Sequence, residues 1–136
     1  MAGRLTLPLA VSCGDPAGIG PEIIGKSWDG REQNNLPPFF AIGDVASFAP
    51  HWSGPTQRIS DPSEASAVFE TALPVLHIHD GQGVAPGEPT LDGAHCAYQA
   101  LELGRRICTH RGSRRACDRA PFQSAALRSR LHASGA

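Results

Sequence analysis

The sequence predicts an α/β protein with a parallel sheet, and two observations support this fold class. Short apolar runs alternate along the chain with segments that carry helix-start signals, which is typical of parallel strands joined by helical crossovers. The run F-F-A-I at residues 39–42 contains no polar residue, as expected for a strand that is covered on both faces. A chain of 136 residues has the length of one domain of modest size.

The first half of the chain supplies two strands and one helix. Residues 5–13 form an apolar run that predicts the first strand, interrupted only by Pro8. Pro21 stands where the first residue of a helix belongs, so a helix is predicted over residues 21–28. Residues 29–38 are polar and rich in turn formers, and we expect a connection there.

The middle of the chain contains the second strand, two helix starts and the third strand. After the strand at residues 39–42, Asp44 can cap a short helical turn over residues 45–48. Residues 51–57 are predicted to be a loop. The sequence D-P-S-E at residues 61–64 combines a cap, a first-position proline and a first-turn acid, and it predicts a helix that ends near Phe69.

A third strand and a longer helix follow. Residues 73–78 are apolar apart from His77 and predict the third strand, and residues 80–88 are rich in glycine and proline and predict a loop. A helix then begins at Thr90 or Asp92. Its apolar residues recur at a spacing close to 3.6, and they include Ala94, Ala97, Tyr98, Leu101 and Leu103.

The glycine-rich loop G-D-P-A-G-I-G-P-E at residues 14–22 is the candidate binding site. Glycine lets a ligand approach the main chain closely, and a helix N-terminus offers free N–H groups and a positive dipole end to a phosphate or carboxylate. The loop has neither the G-x-G-x-x-G pattern nor the Lys-Ser/Thr ending of a phosphate loop. A strand-to-helix turn without a ligand is the alternative interpretation.

Cysteine, histidine and hydropathy patterns exclude several classes of protein. The four cysteines show no C-x-x-C spacing, so we expect neither a disulfide framework nor a zinc site, and we expect a cytoplasmic location. His77 and His79 would point to the same face of a strand, which fits a solvated face better than half of a metal site. No apolar run approaches the length of a membrane span, so no membrane association is expected.

The charge is divided unevenly along the chain. Residues 1–104 hold four Lys and Arg side chains against twelve Asp and Glu, whereas residues 105–136 hold eight arginines and one acid, Asp118. The sequence therefore predicts an acidic N-terminal part and a basic tail.

The loop and the strand before it resemble the N-terminus of the 4-hydroxythreonine-4-phosphate dehydrogenase family. The related isocitrate and isopropylmalate dehydrogenases have a shorter opening, G-D-G-I-G-P-E, and the additional Pro16-Ala17 favours the first family over this alternative. Further similarity comes from A-P-G-E-P at residues 85–89, which leads through Gly93 into A-Y-Q-A-L-E at residues 97–102. The resemblance covers roughly residues 5–104.

The resemblance implies a truncated three-layer α/β/α fold of the isocitrate/isopropylmalate dehydrogenase type. It implies a homodimer that uses NAD or NADP and a divalent metal (zinc, magnesium or cobalt) to oxidise and decarboxylate a phosphorylated hydroxy amino acid in pyridoxine and pyridoxal phosphate biosynthesis. By analogy with the related decarboxylating dehydrogenases, the loop lies beside the cofactor, with Asp15, Gly18, Ile19 and Gly20 as its binding residues. None of the six histidines matches a metal ligand of the family, and no catalytic residue is carried over.

Residues 105–136 depart from the family pattern. Shifting the codons of residues 116–135 by one base permits the expected family segment L-V-T-A-P-L-S-K-A-L-L-Y-A-A-G-F-T-H-P-G. We therefore hypothesise a frameshift near residues 104–112, and we expect the chain alone to be inactive. A true basic arm that binds nucleic acid is the alternative, but the tail has no lysine and a single aromatic residue, Phe122, so nucleic acid is not expected as a partner.

Overall fold

The computed structural model describes residues 7–78 and 87–110. Within these ranges the chain forms four strands, three α-helices and two short 3₁₀ turns. The strands are β1 (Leu9–Ser12), β2 (Phe39–Gly43), β3 (Thr56–Ile59) and β4 (Leu73–His77). The α-helices are α1 (Gly20–Asp29), α2 (Ala65–Phe69) and α3 (Leu91–His110), and the 3₁₀ turns cover Val45–Ser47 and Pro62–Glu64.

The four strands form one parallel sheet in the order β1-β2-β4-β3. The register places Ala10 beside Phe40 and Ala41 beside Val75, so β2 and β4 occupy the centre. The prediction of a parallel α/β fold is confirmed.

Helices cover both faces of the sheet, because alternate residues of the central strands point to opposite sides. On one face, Ile24 and Trp28 of α1 pack with Ala41 and Val75. On the other face, residues of α2 and α3 pack against the sheet through Phe40 and its neighbours. The described part of the chain therefore has the expected three layers.

Two of the predicted helix starts have the geometry that the sequence indicated. Asp44 accepts a hydrogen bond from the Ala46 amide at 3.0 Å and caps the turn that follows β2. Asp61 and Glu64 form a reciprocal capping box, in which the Ser63 amide donates to Asp61 and the Asp61 amide donates to Glu64. Both caps satisfy amides that would otherwise lack an intrahelical partner.

The prediction of an uninterrupted loop over residues 51–57 was wrong, because β3 begins at Thr56. The sequence T-Q-R-I gives no alternating apolar signal, since both Gln57 and Arg58 are exposed. Within the described residues β3 pairs with β4 alone, so hydrogen bonding to a neighbour, rather than burial, defines it as a strand.

Several predictions fall partly outside the described residues. The predicted first strand began at residue 5, whereas β1 begins at Leu9 and residues 1–6 lie outside the description. The same holds for His79 and for most of the predicted loop at residues 80–88. The basic tail is covered only as far as His110.

Helix α3 crosses the predicted boundary between the acidic part and the basic tail. It continues through Gly104 to His110 without interruption. Arg105 and Arg106 both donate to the carboxylate of Glu102, with the Arg105 Nη2 atom 2.8 Å from Glu102 Oε1. These exposed pairs at i,i+3 and i,i+4 add modest local support to the helix. The domain division at residue 104 stays a prediction.

Cys13 directly follows β1 and is buried. Because of this burial, we expect the folded chain to lose stability at alkaline pH. Desolvation raises the pKa of this thiol, and the nearby Cys96 and Asp44 raise it further. The unfolded thiol ionises near pH 8.5 whereas the folded thiol stays neutral, so stability is present below that pH and falls as the pH rises.

We expect the free energy of unfolding to lose about 1.4 kcal/mol per pH unit above pH 9 through Cys13. Denaturant titrations at pH 7.5, 9 and 10 measure this slope, and Cys13→Ala should flatten it. Cys108→Ala at the half-buried Cys108 is the matched control and should retain the slope. Equal slopes for the parent and Cys13→Ala would show that the Cys13 thiol does not cause the loss of stability at high pH.

Candidate functional site

The candidate site lies where the parallel strands end, which is the edge at which open α/β sheets bind ligands. The loop of residues 14–19 follows β1 and leads into α1. Asp44 follows β2, and His77 is the last residue of β4.

Asp15 organises the turn of the glycine-rich loop. The Ala17 amide donates to Asp15 Oδ1 at 2.9 Å, and the Gly18 amide donates to the Asp15 carbonyl oxygen at 2.9 Å. Gly14 has a φ of 67°, a left-handed conformation that glycine adopts without steric cost. Asp15 therefore holds the loop through its side chain and its main chain together.

The start of α1 is packed directly against the end of β1. A Cβ atom at Gly20 would lie 2.0 Å from the carbonyl oxygen of Cys13, so only glycine fits there. Ile19 occupies the N-cap position and provides no side-chain hydrogen bond to the first turn. The first-turn amides thus lack the side-chain cap that Ser, Thr, Asp or Asn would provide, which suits an external anion.

The first turn of α1 also carries an ion pair. Lys26 donates to Glu22, one helical turn away on the exposed surface. This hydrogen bond lowers the pKa of Glu22, and the charge of Lys26 lowers it further. Lys26 therefore offsets the negative charge of Glu22 near the helix N-terminus.

The two motifs that carry the family resemblance meet in space. The Gly87 amide donates to the carbonyl oxygen of Ala17 at 2.9 Å. Gly93, buried in the first turn of α3, lies so close that an added Cβ atom would be 3.0 Å from Asp15 Oδ1. The start of α3 therefore packs against the turn that Asp15 holds. Of the predicted binding residues, Asp15 and Gly18 belong to this turn, and Ile19 and Gly20 begin α1.

A second polar cluster at the same edge was not predicted from the sequence. His77 Nδ1 lies 3.7 Å from Asp44 Oδ1 and 3.4 Å from the Val45 amide nitrogen. On the other side of the ring, Arg58 Nη2 lies 3.0 Å from His77 Nε2. A neutral imidazole accepts at only one ring nitrogen, so one of these two donors is favoured at a time.

Alternation in β4 was the signal that could have located this cluster. Leu73 and Val75 share a face with His77, so this face of β4 ends in a half-buried imidazole and not in open solvent. The predicted solvated face at His77 is therefore wrong for this residue.

Asp44→Ala is expected to destabilise the chain by about 1–2 kcal/mol, because it removes a cap and leaves the Ala46 amide without its acceptor. Chemical denaturation measures the change. Asp44→Asn retains a side-chain oxygen and should recover much of the loss. A loss equal to that of Asp44→Ala would show that charge, and not capping, is the main contribution.

The described residues contain no group of three or more His, Cys, Asp or Glu side chains that could hold a metal ion. The divalent metal implied by the resemblance therefore has no ligand set in residues 7–78 and 87–110. The same part of the chain contains no helix both long and apolar enough to cross a membrane.

Curated relatives and solved structures match this chain. A 4-hydroxythreonine-4-phosphate dehydrogenase of Zymomonas mobilis is 44% identical over 120 residues, which are 88% of this chain and 36% of that protein. The enzyme of the same name from Erythrobacter litoralis is 46% identical over 112 residues, covering 79% of this chain and 33% of the relative. No family model matches the chain.

Solved structures give the same result for the fold. The 4-hydroxythreonine-4-phosphate dehydrogenase of Klebsiella pneumoniae matches with a TM-score of 0.66 and 26% identity, over 77% of this chain and 34% of that structure. The structure from Burkholderia phymatum has a TM-score of 0.68 at 21% identity, over the same shares.

The chain spans about a third of the length of these relatives. The 120-residue match to the Zymomonas protein is longer than residues 1–104, so it also includes part of the segment after Gly104.

Proposed function

We propose that this chain, which is similar to 4-hydroxythreonine-4-phosphate dehydrogenases over the stretch that it shares with them, carries the cofactor-side loop of such an enzyme. The complete activity is the NAD- or NADP-dependent oxidation of 4-phosphohydroxythreonine followed by decarboxylation, in pyridoxine biosynthesis. This activity requires the part of the relatives' length to which this chain has no matching residues. The observation that supports the proposal best is the packing of Gly87 and Gly93 against the Asp15 turn.

The proposal gives separate parts to Asp15 and to the backbone amides at the start of α1. The nicotinamide cofactor supplies the hydride acceptor. The amides of Ile19 and Gly20 lie at the start of α1, where the helix dipole favours a phosphate of the cofactor. The Gly18 amide is engaged by the Asp15 carbonyl oxygen, so Gly18 contributes through the shape of the turn. Asp15 is a positioning residue, because its Oδ1 atom holds the Ala17 amide and fixes the turn that presents these amides.

The remaining expectations are part of the same proposal. A homodimer, a phosphorylated substrate and a cytoplasmic location follow from the family. The metal ligands would come from polypeptide beyond the described residues. No described residue supports the isopropylmalate-type alternative.

A second part of the proposal concerns the origin of the arginine-rich residues 105–136. A change of reading frame near residues 104–112 accounts for the arginine-rich composition that follows. The arginine-rich composition of residues 105–136 and the shifted codon reading of residues 116–135 support this proposal. Sequencing the gene beside that of a full-length relative tests it, since an intact frame without a lost or gained base would disprove the shift.

The purified chain is expected to form no NADH from 4-phosphohydroxythreonine, NAD and a divalent metal. A chimera that places residues 7–104 in front of the remaining polypeptide of the Zymomonas relative should recover this activity. The intact Zymomonas enzyme is the positive control. Turnover by the chain alone, or a folded chimera without turnover, would contradict the proposed function.

A further inference from the structure

Helix α3 has two apolar faces, and only one of them packs against the sheet. Cys96 and Ala100 are buried, and Leu103 and Ile107 pack beside them against the sheet. At about 100° per residue these positions fall on one side of the helix. This side accounts for the contacts of α3 with β1 and β2.

The second face carries large exposed apolar side chains. Leu91 is 64% exposed, Tyr98 is 50% exposed and Leu101 is 38% exposed. Their spacing of seven and three residues places them along one stripe, roughly opposite the buried face. We call these three residues the outer stripe. A helix that is apolar on two sides is typical of one covered on both sides in a larger protein.

The length of the relatives indicates what covers the outer stripe. The chain matches 36% of the Zymomonas enzyme and 34% of the Klebsiella structure, so about two thirds of each relative has no counterpart in the match. Helix α3 ends at His110 and is the last element within the described residues. In addition, β1 pairs only with β2 among the described strands and leaves one sheet edge available.

We propose that the outer stripe of α3 is a docking surface for the downstream two thirds of a 4-hydroxythreonine-4-phosphate dehydrogenase chain. The full chain should therefore bind that polypeptide when it is supplied as a separate molecule. The inference rests on the proposed function for the identity of the partner. Its readout is binding, which is independent of cofactor affinity and turnover.

The test mixes the full chain with the polypeptide of the Zymomonas relative that follows the matched stretch, and measures complex formation by analytical ultracentrifugation. The matched stretch of the Zymomonas protein itself serves as a reference partner. We expect a complex with this chain, and we expect Tyr98→Asp to weaken it at least tenfold. Gln99→Asp is the matched control, because it places the same charge at the neighbouring exposed position outside the stripe.

Circular dichroism separates binding from folding. Since Tyr98 is exposed, Tyr98→Asp should leave the melting temperature of the isolated chain close to that of Gln99→Asp. Equal binding by the two variants would overturn the proposal, as would the absence of a complex with this chain. A self-association that Tyr98→Asp abolishes and the added polypeptide does not displace would identify a second copy as the occupant, and would also overturn it.

Discussion

Gly20→Ala is expected to destabilise the chain by about 3 kcal/mol or more, since a backbone contact cannot relax as a flexible side chain does. The added Cβ atom would lie 2.0 Å from the carbonyl oxygen of Cys13 and 3.0 Å from its carbonyl carbon. Relief of this overlap requires α1 to move away from the end of β1. The same movement would displace the amides at the start of α1, so the loop geometry should be lost together with stability.

Urea denaturation of the parent and the variant measures this loss. Gly104→Ala is the matched control, because its new Cβ atom would meet the Cδ1 atom at the end of the Ile42 side chain at 3.3 Å. Gly104 lies within α3, so alanine there should be neutral or stabilising by up to about 1 kcal/mol. A Gly20→Ala protein as stable as the Gly104→Ala protein would show that α1 does not start against β1 as described.

Phe40→Ala is expected to lower stability by about 3–5 kcal/mol, the range seen when a buried phenylalanine is removed from a close-packed core. Phe40 is 1% exposed and lies in the central strand β2. It joins the cluster that contains Ile42, Leu76 and Ala100. The substitution therefore loosens the contact between the sheet and α3, which also brings Gly93 to the Asp15 turn.

Thermal and chemical denaturation followed by circular dichroism check this prediction. Ile23→Ala removes a side chain of similar character that is 52% exposed on α1, and it should change stability by less than about 1 kcal/mol. Similar losses for the two variants would contradict the placement of Phe40 between the sheet and α3.

The fold could be predicted wherever burial and capping leave a local signal. The apolar run of β2, Pro21 at the start of α1 and the capping residues Asp44 and Asp61 identified their elements correctly. Strand β3 could not be predicted, because Gln57 and Arg58 are exposed and the strand is defined by its pairing with β4. Pairing between distant segments leaves no local pattern in the sequence.

The candidate site was only partly predictable for a similar reason. The loop around Asp15 was evident from its glycines, but its contact with Gly93 joins segments far apart in the chain. The cluster of Asp44, Arg58 and His77 likewise draws on three strand ends. Its assembly depends on the strand order, which the sequence pattern did not determine.

The KM for NAD of the chimera carrying Asp15→Ala, compared with that of the unsubstituted chimera, tests whether the glycine-rich loop binds the cofactor. If the loop of residues 14–20 binds the cofactor and Asp15 holds its turn, this KM should rise about tenfold, equivalent to about 1.4 kcal/mol. The KM for 4-phosphohydroxythreonine should stay unchanged, and Asp15→Asn, which retains the acceptor oxygen, should restore most of the affinity for NAD. An unchanged KM for NAD in the Asp15→Ala chimera would contradict the assignment of this loop to the cofactor.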